Sequence, residues 1–285
     1  MKKTFYYMSL LLGLFFGMTM FTACGGGDDD NGGTSGGGEG GFVPGKFMGP
    51  KRVFGDNLLS SFGPENGSQY EITYNSDNFV SKLKRINSSS NTEYDVTYSD
   101  NQVIITRNSS GGTKQYTITI GSNGFAQTVD WGDGEITTYE YDSEGHVTRF
   151  TTIDIYDSEE YTYVGTLTWQ NGNMIVPSDN DSGRNSTITV SYNSTPNVAG
   201  LYVRANIGGD VGDFYDDILY YMGLLGKGTA NLVQSYSYSS SSSSSTSENA
   251  WTLDDAGRPT KCVTTTTYTS GGGSTSTRTY YWNYR

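Results

Sequence analysis

A tyrosine-led unit recurs through the first half of this chain, starting at Tyr70, Tyr94, Tyr116, Tyr139 and Tyr161, 22 to 24 residues apart. Each unit alternates at period two. In Tyr70-Glu71-Ile72-Thr73-Tyr74, one face takes Tyr70, Ile72 and Tyr74 and the other takes Glu71 and Thr73. That period belongs to a half-buried strand and not to a helix. Asn/Asp/Ser/Gly clusters follow each strand, as in Asn75-Ser76-Asp77-Asn78 and Asp142-Ser143-Glu144-Gly145, and these residues supply the positive φ angles of tight hairpins. Two strands of about eight residues and their turns fill the period. Nothing of helical length separates them, so neighbours are expected to pair antiparallel as a meander.

The pattern continues weakly through Ile188–Tyr192, Leu201-Tyr202-Val203 and Leu232-Val233, and ends in hairpins around Asp254-Asp255-Ala256-Gly257 and Gly271-Gly272-Gly273. The composition agrees. Only 34% of residues are hydrophobic but 14% are aromatic, with 23 Tyr, a balance that suits pleated surfaces. The expected fold is all-β: a curved antiparallel meander, half or full barrel, over residues 46–285 as one domain.

One segment breaks the alternation. Asp213 to Gly226 reads as a short helix near 213–225, with Asp213 as N-cap and Gly at its end. Phe214, Ile218, Leu219, Met222 and Leu225 form its apolar stripe. A one-sided sheet must cover its apolar face, and this helix is the expected cover. Ser239 to Ser247 is low-complexity and is expected to form a mobile hairpin tip.

The N-terminus carries an address. Lys2 and Lys3 precede an apolar run that ends in Phe21-Thr22-Ala23-Cys24. A basic start, an apolar stretch and a small residue before the cut form a secretory signal over 1–23. A cysteine directly after it resembles the lipidation site of bacterial lipoproteins, although Phe21 stands where that motif usually carries Leu. The competing reading is an uncleaved membrane helix, since residues 4–23 approach the ~20 apolar residues that span a bilayer. Each buried methylene adds about 0.8 kcal/mol of membrane affinity, so two acyl chains on Cys24 would anchor the protein. Residues 24–45 are Gly- and Asp-rich and have almost nothing to bury, which makes them a flexible tether. Asp28-Asp29-Asp30 resembles the export signal of Bacteroidetes surface lipoproteins. The expected location is therefore the outer membrane, lipid-anchored, on the cell surface or else on its periplasmic face.

The Tyr-Asn/Asp-x-x-x-Val units, Leu224-Leu225-Gly226-Lys227 and Leu253-Asp254-Asp255-Ala256-Gly257-Arg258-Pro259 together resemble a Bacteroidetes lipoprotein domain family of unknown function. That resemblance covers roughly residues 46–285. It implies a porin-like fold, a curved antiparallel sheet forming a half or full barrel, with no known activity. The chain departs from the pattern in its serine run and in the turn at Asn78, which lacks the usual Gly.

Chemistry-bearing motifs are scarce. The formal charge is −12, or −14 once Lys2 and Lys3 leave with the signal. That excludes sequence-independent nucleic-acid binding through a basic surface. With Cys24 acylated, Cys262 stands alone, and its strand-like setting reads as a small buried residue. His146 follows a turn glycine and is expected to be exposed. Asp179-Asn180-Asp181-Ser182-Gly183 begins like a calcium loop, but its Gly falls one place early and Val190 stands where Glu is needed. Asp210, Asp213, Asp216 and Asp217 read as caps and solvated charge. Trp131-Gly132-Asp133-Gly134 reads as a hairpin turn. No catalytic residue, cofactor or metal site is identified.

The sequence thus points to a non-enzymatic envelope lipoprotein with a binding or scaffold role. Its expected partners are the membrane through the lipid anchor and a glycan or another envelope protein. A glycan-active enzyme with paired carboxylates and a membrane-embedded β-barrel are the alternatives. Metabolic labelling with a palmitate analogue should mark the wild-type chain and leave Cys24→Ala unmarked; equal labelling of both would rule out the anchor.

Overall fold

A computed structural model describes residues 46–156, 159–179, 187–201, 217–240, 243–269 and 273–285. The signal, Cys24 and the tether lie outside these residues. So do 180–186 of the calcium-like stretch, Asp210, Asp213, Phe214 and Asp216, and Tyr202-Val203. Two helices and sixteen strands run in the order α1 (Lys51–Phe54), β1 (Leu59–Pro64), β2 (Gln69–Tyr74), β3 (Val80–Ile86), β4 (Asn91–Tyr98), β5 (Gln102–Ser109), β6 (Gly112–Ile120), β7 (Ala126–Asp130), β8 (Ile136–Tyr141), β9 (Val147–Tyr156), β10 (Glu159–Gln170), β11 (Asn173–Asp179), β12 (Thr187–Pro196), α2 (Asp217–Tyr221), β13 (Asn231–Ser239), β14 (Ser244–Leu253), β15 (Pro259–Tyr268) and β16 (Ser274–Tyr284).

All the strands join one antiparallel sheet. Its first strand, β1, pairs with its last, β16, and the two halves of the chain meander away from that seam in opposite directions. They meet again where β11 lies beside β12, so the sheet is a nearly closed barrel. The tyrosine-led units are the even-numbered strands β2, β4, β6, β8 and β10.

Four of the turns after even strands, those following β2, β6, β8 and β14, share one construction. Asn75, Gly121, Asp142 and Asp254 each donate a backbone N–H to the carbonyl four residues on and accept one from the residue three on. The accepting residue's donor partner sits at positive φ: Asn78 at 64°, Gly124 at 76°, Gly145 at 93° and Gly257 at 77°. Asn replaces Gly at position 78 because its short polar side chain tolerates that region. The side chains of Asn75, Asp142 and Asp254 also accept two backbone N–H bonds each.

Beneath these turns runs a ladder of aromatic donors. Tyr74 donates to the Leu59 carbonyl, Tyr98 to Val80, Tyr141 to Ala126 and Tyr284 to Pro259, at 2.7–2.8 Å. The Trp169 and Trp251 indoles reach Val147 and Val233 in the same way, at 2.7 and 2.8 Å. Each rung links the end of an even strand to a carbonyl near the start of the odd strand before it. The pair β5–β6 lacks the rung because Ile120 occupies its place. Tyr192 on β12 completes the series by donating to Met174 on β11 at 2.7 Å, so a rung spans the gap between the two edge strands. Nearby, Ala230 donates to the Gly172 carbonyl, and Asn173 and Asn231 bond each other.

The residues that alternate with Glu, Lys and Thr form the buried face, among them Val96, Val103, Ile105, Ile118, Val129 and Leu167. The opposite face is polar. Lys82 pairs with Glu93 and Asp95 across β3–β4, and Arg149 pairs with Glu140. Such exposed pairs contribute roughly 0–1 kcal/mol each, so apolar burial on the other face dominates stability.

The segment α2 and residues 222–230 plug one end of this apolar interior, as the sequence suggested for 213–225. Ile218, Leu219, Met222, Leu224 and Leu225 are all buried. Backbone bonds tie the plug to the barrel: Ala126 donates to the Leu224 carbonyl at 2.8 Å, and Lys227 to Gly145 at 2.9 Å. Gly226 lies so close to the Gly145 carbonyl that a Cβ there would collide with it. The N-terminal segment covers the same end. Phe54 of α1, an element without a sequence signal of its own, packs edge-on against Tyr220, and Phe47 stacks on Tyr98.

Two expectations are corrected. His146 is buried, 4% exposed, because its ring stacks on Trp169 at 4.3 Å and meets Asp142 at 3.0 Å. The serine run does hold the link of the β13–β14 hairpin, but it extends past it into strand: Ser244–Ser247 pair with both neighbours, and buried Ser247 bonds Thr266 at 2.8 Å. Cross-strand hydroxyl pairing replaces the missing apolar contacts there. Leu201 is buried but lies outside any strand.

Leu219 is 1% exposed and Leu253 40%. Leu219→Ala should therefore lower unfolding free energy by about 2–5 kcal/mol in a urea titration, and Leu253→Ala by far less. Similar losses would show that the helix plugs nothing. A second expectation concerns alkaline pH. Burial raises the hydroxyl pKa of Tyr74, Tyr98, Tyr192 and Tyr284. Their contribution is whole below the unfolded value of about 10 and is lost as pH rises through it toward the native values. Absorbance at 295 nm should show these rungs ionising only as the sheet signal collapses. Ionisation of all 23 tyrosines near pH 10 with the sheet intact would contradict the ladder.

Candidate functional site

The end of the barrel opposite the plug is lined differently. On the buried face, the strand positions farthest from the ladder carry Tyr, Thr, Ser and Arg in place of Val, Ile and Leu. A cavity of about 340 Å³ opens there, between the plug and the strands β1–β3 and β14–β16. Its size is at the low end for small-molecule sites.

Aromatic rings form its base and walls. Tyr221 of the plug lies 4.3 Å from Phe62, and its hydroxyl accepts a bond from the Trp282 indole at 3.3 Å. Tyr70 stacks on Phe62 at 4.7 Å and 6°. Trp251 lies 5.7 Å from Trp282, and Tyr280 lies 6.2 Å from Trp282. The antiparallel registers set these neighbours: Phe62 faces Tyr70 on β2 and Trp282 on β16, and Trp251 faces Cys262. The sequence supplied the alternation that turns these rings inward. It gave no sign that β1 would meet β16, which is what gathers them into one wall.

Polar groups stand above the rings. Arg85 donates from Nε to Ser68 at 2.9 Å, and Arg278 donates to the Tyr280 hydroxyl at 3.2 Å. Thr264 donates to Asn249 at 2.7 Å. Asp217, the first residue of α2, is the cavity's one carboxylate among the described residues. Cys262 sits in the wall, buried, with its thiol pushed up to about 11 by burial. At neutral pH it is a protonated, inert thiol, as its strand context suggested.

The remaining sequence candidates are structural. His146 and Asp142 belong to a turn on the plugged rim. Burial by itself would raise the Asp142 carboxyl, but hydrogen bonds from the His146 backbone and ring and from the Glu144 backbone pull it below the usual carboxylate range. Trp131–Gly134 is a turn, with Gly132 at φ 80° and Gly134 at φ 96°. Among the described residues, no group of three His, Cys, Asp or Glu side chains could hold a metal ion, and no helix is long and apolar enough to cross a membrane.

The barrel's polarity bears on the membrane alternative. A spanning barrel presents an outward apolar band about 25 Å tall and a polar lumen. Here the apolar face is covered by the plug, and the outward face carries Lys82, Glu93, Asp95, Thr97, Thr119, Glu140 and Arg149. The exposed isoleucines include Ile136 and Ile153, which face each other across β8–β9, together with Ile155 and Ile175.

No protein-family model and no curated protein sequence matches the chain. Its fold is shared with solved structures. A porin-like protein from Bacteroides uniformis superposes with a TM-score of 0.61 at 21% identity, covering 80% of this chain and 98% of that one. A porin-like protein from Bacteroides vulgatus superposes with a TM-score of 0.50 at 17% identity, covering 81% and 99%. At these identities the likeness carries the fold alone, and function has to be argued from the site.

Proposed function

We propose that this chain is a non-catalytic binding protein of the bacterial envelope, held to the outer membrane by acylated Cys24 and taking the end of a glycan into the open mouth of its barrel. One observation carries this reading: a cavity walled by Tyr70, Trp251, Tyr280 and Trp282, with arginines and hydroxyls above the rings, in a barrel whose other end is plugged. Flat aromatic faces stack on the apolar faces of sugar rings, and the hydroxyls and guanidinium groups satisfy sugar oxygens. A protein partner would need a broad contact of roughly 800 Å² a side, so the small concave site favours the glycan.

Two points support binding without turnover. Glycoside hydrolysis by paired carboxylates needs two of them about 5–10 Å apart, and Asp217 has no carboxylate companion among the described cavity residues. Cys262 is protonated at neutral pH and offers no nucleophile. The signal at 1–23 and the acidic triplet Asp28–Asp30 support an envelope location facing outward. The polar outer wall supports a barrel that stands in water.

The test is a glycan array followed by titration of any hit, read by tryptophan fluorescence, since Trp251 and Trp282 line the site. Thr264→Phe narrows the cavity from its wall. Binding should weaken at least tenfold in this variant, with the melting temperature held within a few degrees. Undiminished binding would move the site elsewhere. Release of new reducing ends from a bound glycan would make the protein an enzyme.

A further inference from the structure

We propose that the glycan accepted by this cavity is acidic, with a carboxylate of a uronic acid residue gripped between Arg85 and Arg278. This deepens the binding reading above and rests on it. The placement of the cations points this way. The chain carries −12 overall, yet three of the four strand arginines among the described residues, Arg85, Arg107 and Arg278, have the inward parity of Leu83, Ile105 and Tyr280. The fourth, Arg149, faces outward.

Outside, Lys82 is neutralised by Glu93 and Asp95, and Arg149 by Glu140. In the cavity wall, Arg85 bonds the Ser68 hydroxyl, Arg278 bonds the Tyr280 hydroxyl and lies 6.0 Å from its ring, and neither has a carboxylate within ion-pair distance among the described residues. A guanidinium carries five donors in a rigid planar fork. One bond to a hydroxyl leaves most of that fork unused beside a lined cavity. A fork of this shape matches a carboxylate bidentately.

The cavity, and not a shared register row, brings the two together: Arg278 stands four residues along β16 from the row of Arg85, and the Arg85 guanidinium reaches Ser68 at the mouth. Arg85 on β3 faces Tyr70 on β2, Tyr70 faces Phe62 on β1, and Phe62 faces Trp282 on β16, the strand of Arg278. Three strand spacings of about 4.8 Å separate β3 from β16, and both side chains line the same cavity from opposite sides of the β1 wall. An anion above Phe62 and Tyr70 lies between two positive groups, and its sugar ring rests on the aromatic floor. Asp217 lines the cavity from the plug. The ligand enters with its carboxylate toward the β3 and β16 walls.

The test uses the mature full-length chain with oligogalacturonate, oligoglucuronate and oligomannuronate, each against its carboxyl-reduced neutral counterpart, by isothermal titration. At least one uronate should bind tenfold or more tighter than its reduced form and should weaken when salt is raised to 0.5 M. Arg85→Gln with Arg278→Gln should bring it down to the level of the neutral sugar. Arg149→Gln, on the outer face, should leave it unchanged. The paired lysine variant, Arg85→Lys with Arg278→Lys, keeps the charge and should fall between. Equal binding of acidic and reduced sugars would overturn the acidic ligand while leaving glycan binding standing. Absence of binding by every uronate would also overturn it, and neutral hits sensitive to Thr264→Phe would then keep the broader reading alive.

Discussion

A sixteen-stranded sheet with one apolar face has two liabilities, that face and its two edges, and here both are met by curling the sheet around a plug. The face is covered when α2 and residues 222–230 enter one end. The edges nearly vanish because β1 pairs with β16 and β11 comes beside β12. The aromatic ladder ties the two solutions together. Each rung, worth about 0.5–1.5 kcal/mol net, bonds the end of one strand to a carbonyl near the start of the strand before it, along the rim that the plug seals. Because Tyr192 places the same rung across the gap between β11 and β12, the repeat that builds the sheet also helps close it.

Much of this was legible in the chain. The spacing of Tyr70, Tyr94, Tyr116, Tyr139 and Tyr161 located five strands, and alternation at period two assigned their faces. Asn/Asp/Gly clusters located the turns, and the stripe Ile218, Leu219, Met222 and Leu225 named the plug. These signals are local, so a single sequence carries them. What depends on distant partners was not legible. His146 looked exposed beside its turn glycine because Trp169, the ring that covers it, comes from a strand more than twenty residues on. The serine run looked like a loop tip because composition says nothing of the hydroxyls across from it, such as Thr266. The binding cavity was invisible for the same reason: its wall exists only once β1 and β16, from opposite ends of the domain, pair.

The same geometry separates the two ends of the barrel by chemistry. At the plugged end, aliphatic side chains and protonated tyrosines make up the core. At the open end, rings, hydroxyls and unneutralised arginines remain available in a concave space. Proteins that share this fold are described as porin-like; this barrel has a plugged interior and a charged outer wall. Its net negative surface slows anionic ligands at long range, and inward arginines offset that repulsion only at short range, where shape and stacking also act. That combination favours selectivity over speed of capture.

The plug is the part on which this account stands, and native-state hydrogen exchange measures it directly. The informative amides are Met222, Leu224 and Ala126, whose bonds to Ile218, Leu219 and Leu224 hold the plug together and fix it to the sheet. If the plug is integral, these amides exchange with the same opening free energy as the central strands β5 and β6, near the global unfolding value. If they exchange orders of magnitude faster while β5 and β6 stay protected, the plug opens independently of the barrel. The apolar face would then need some other cover.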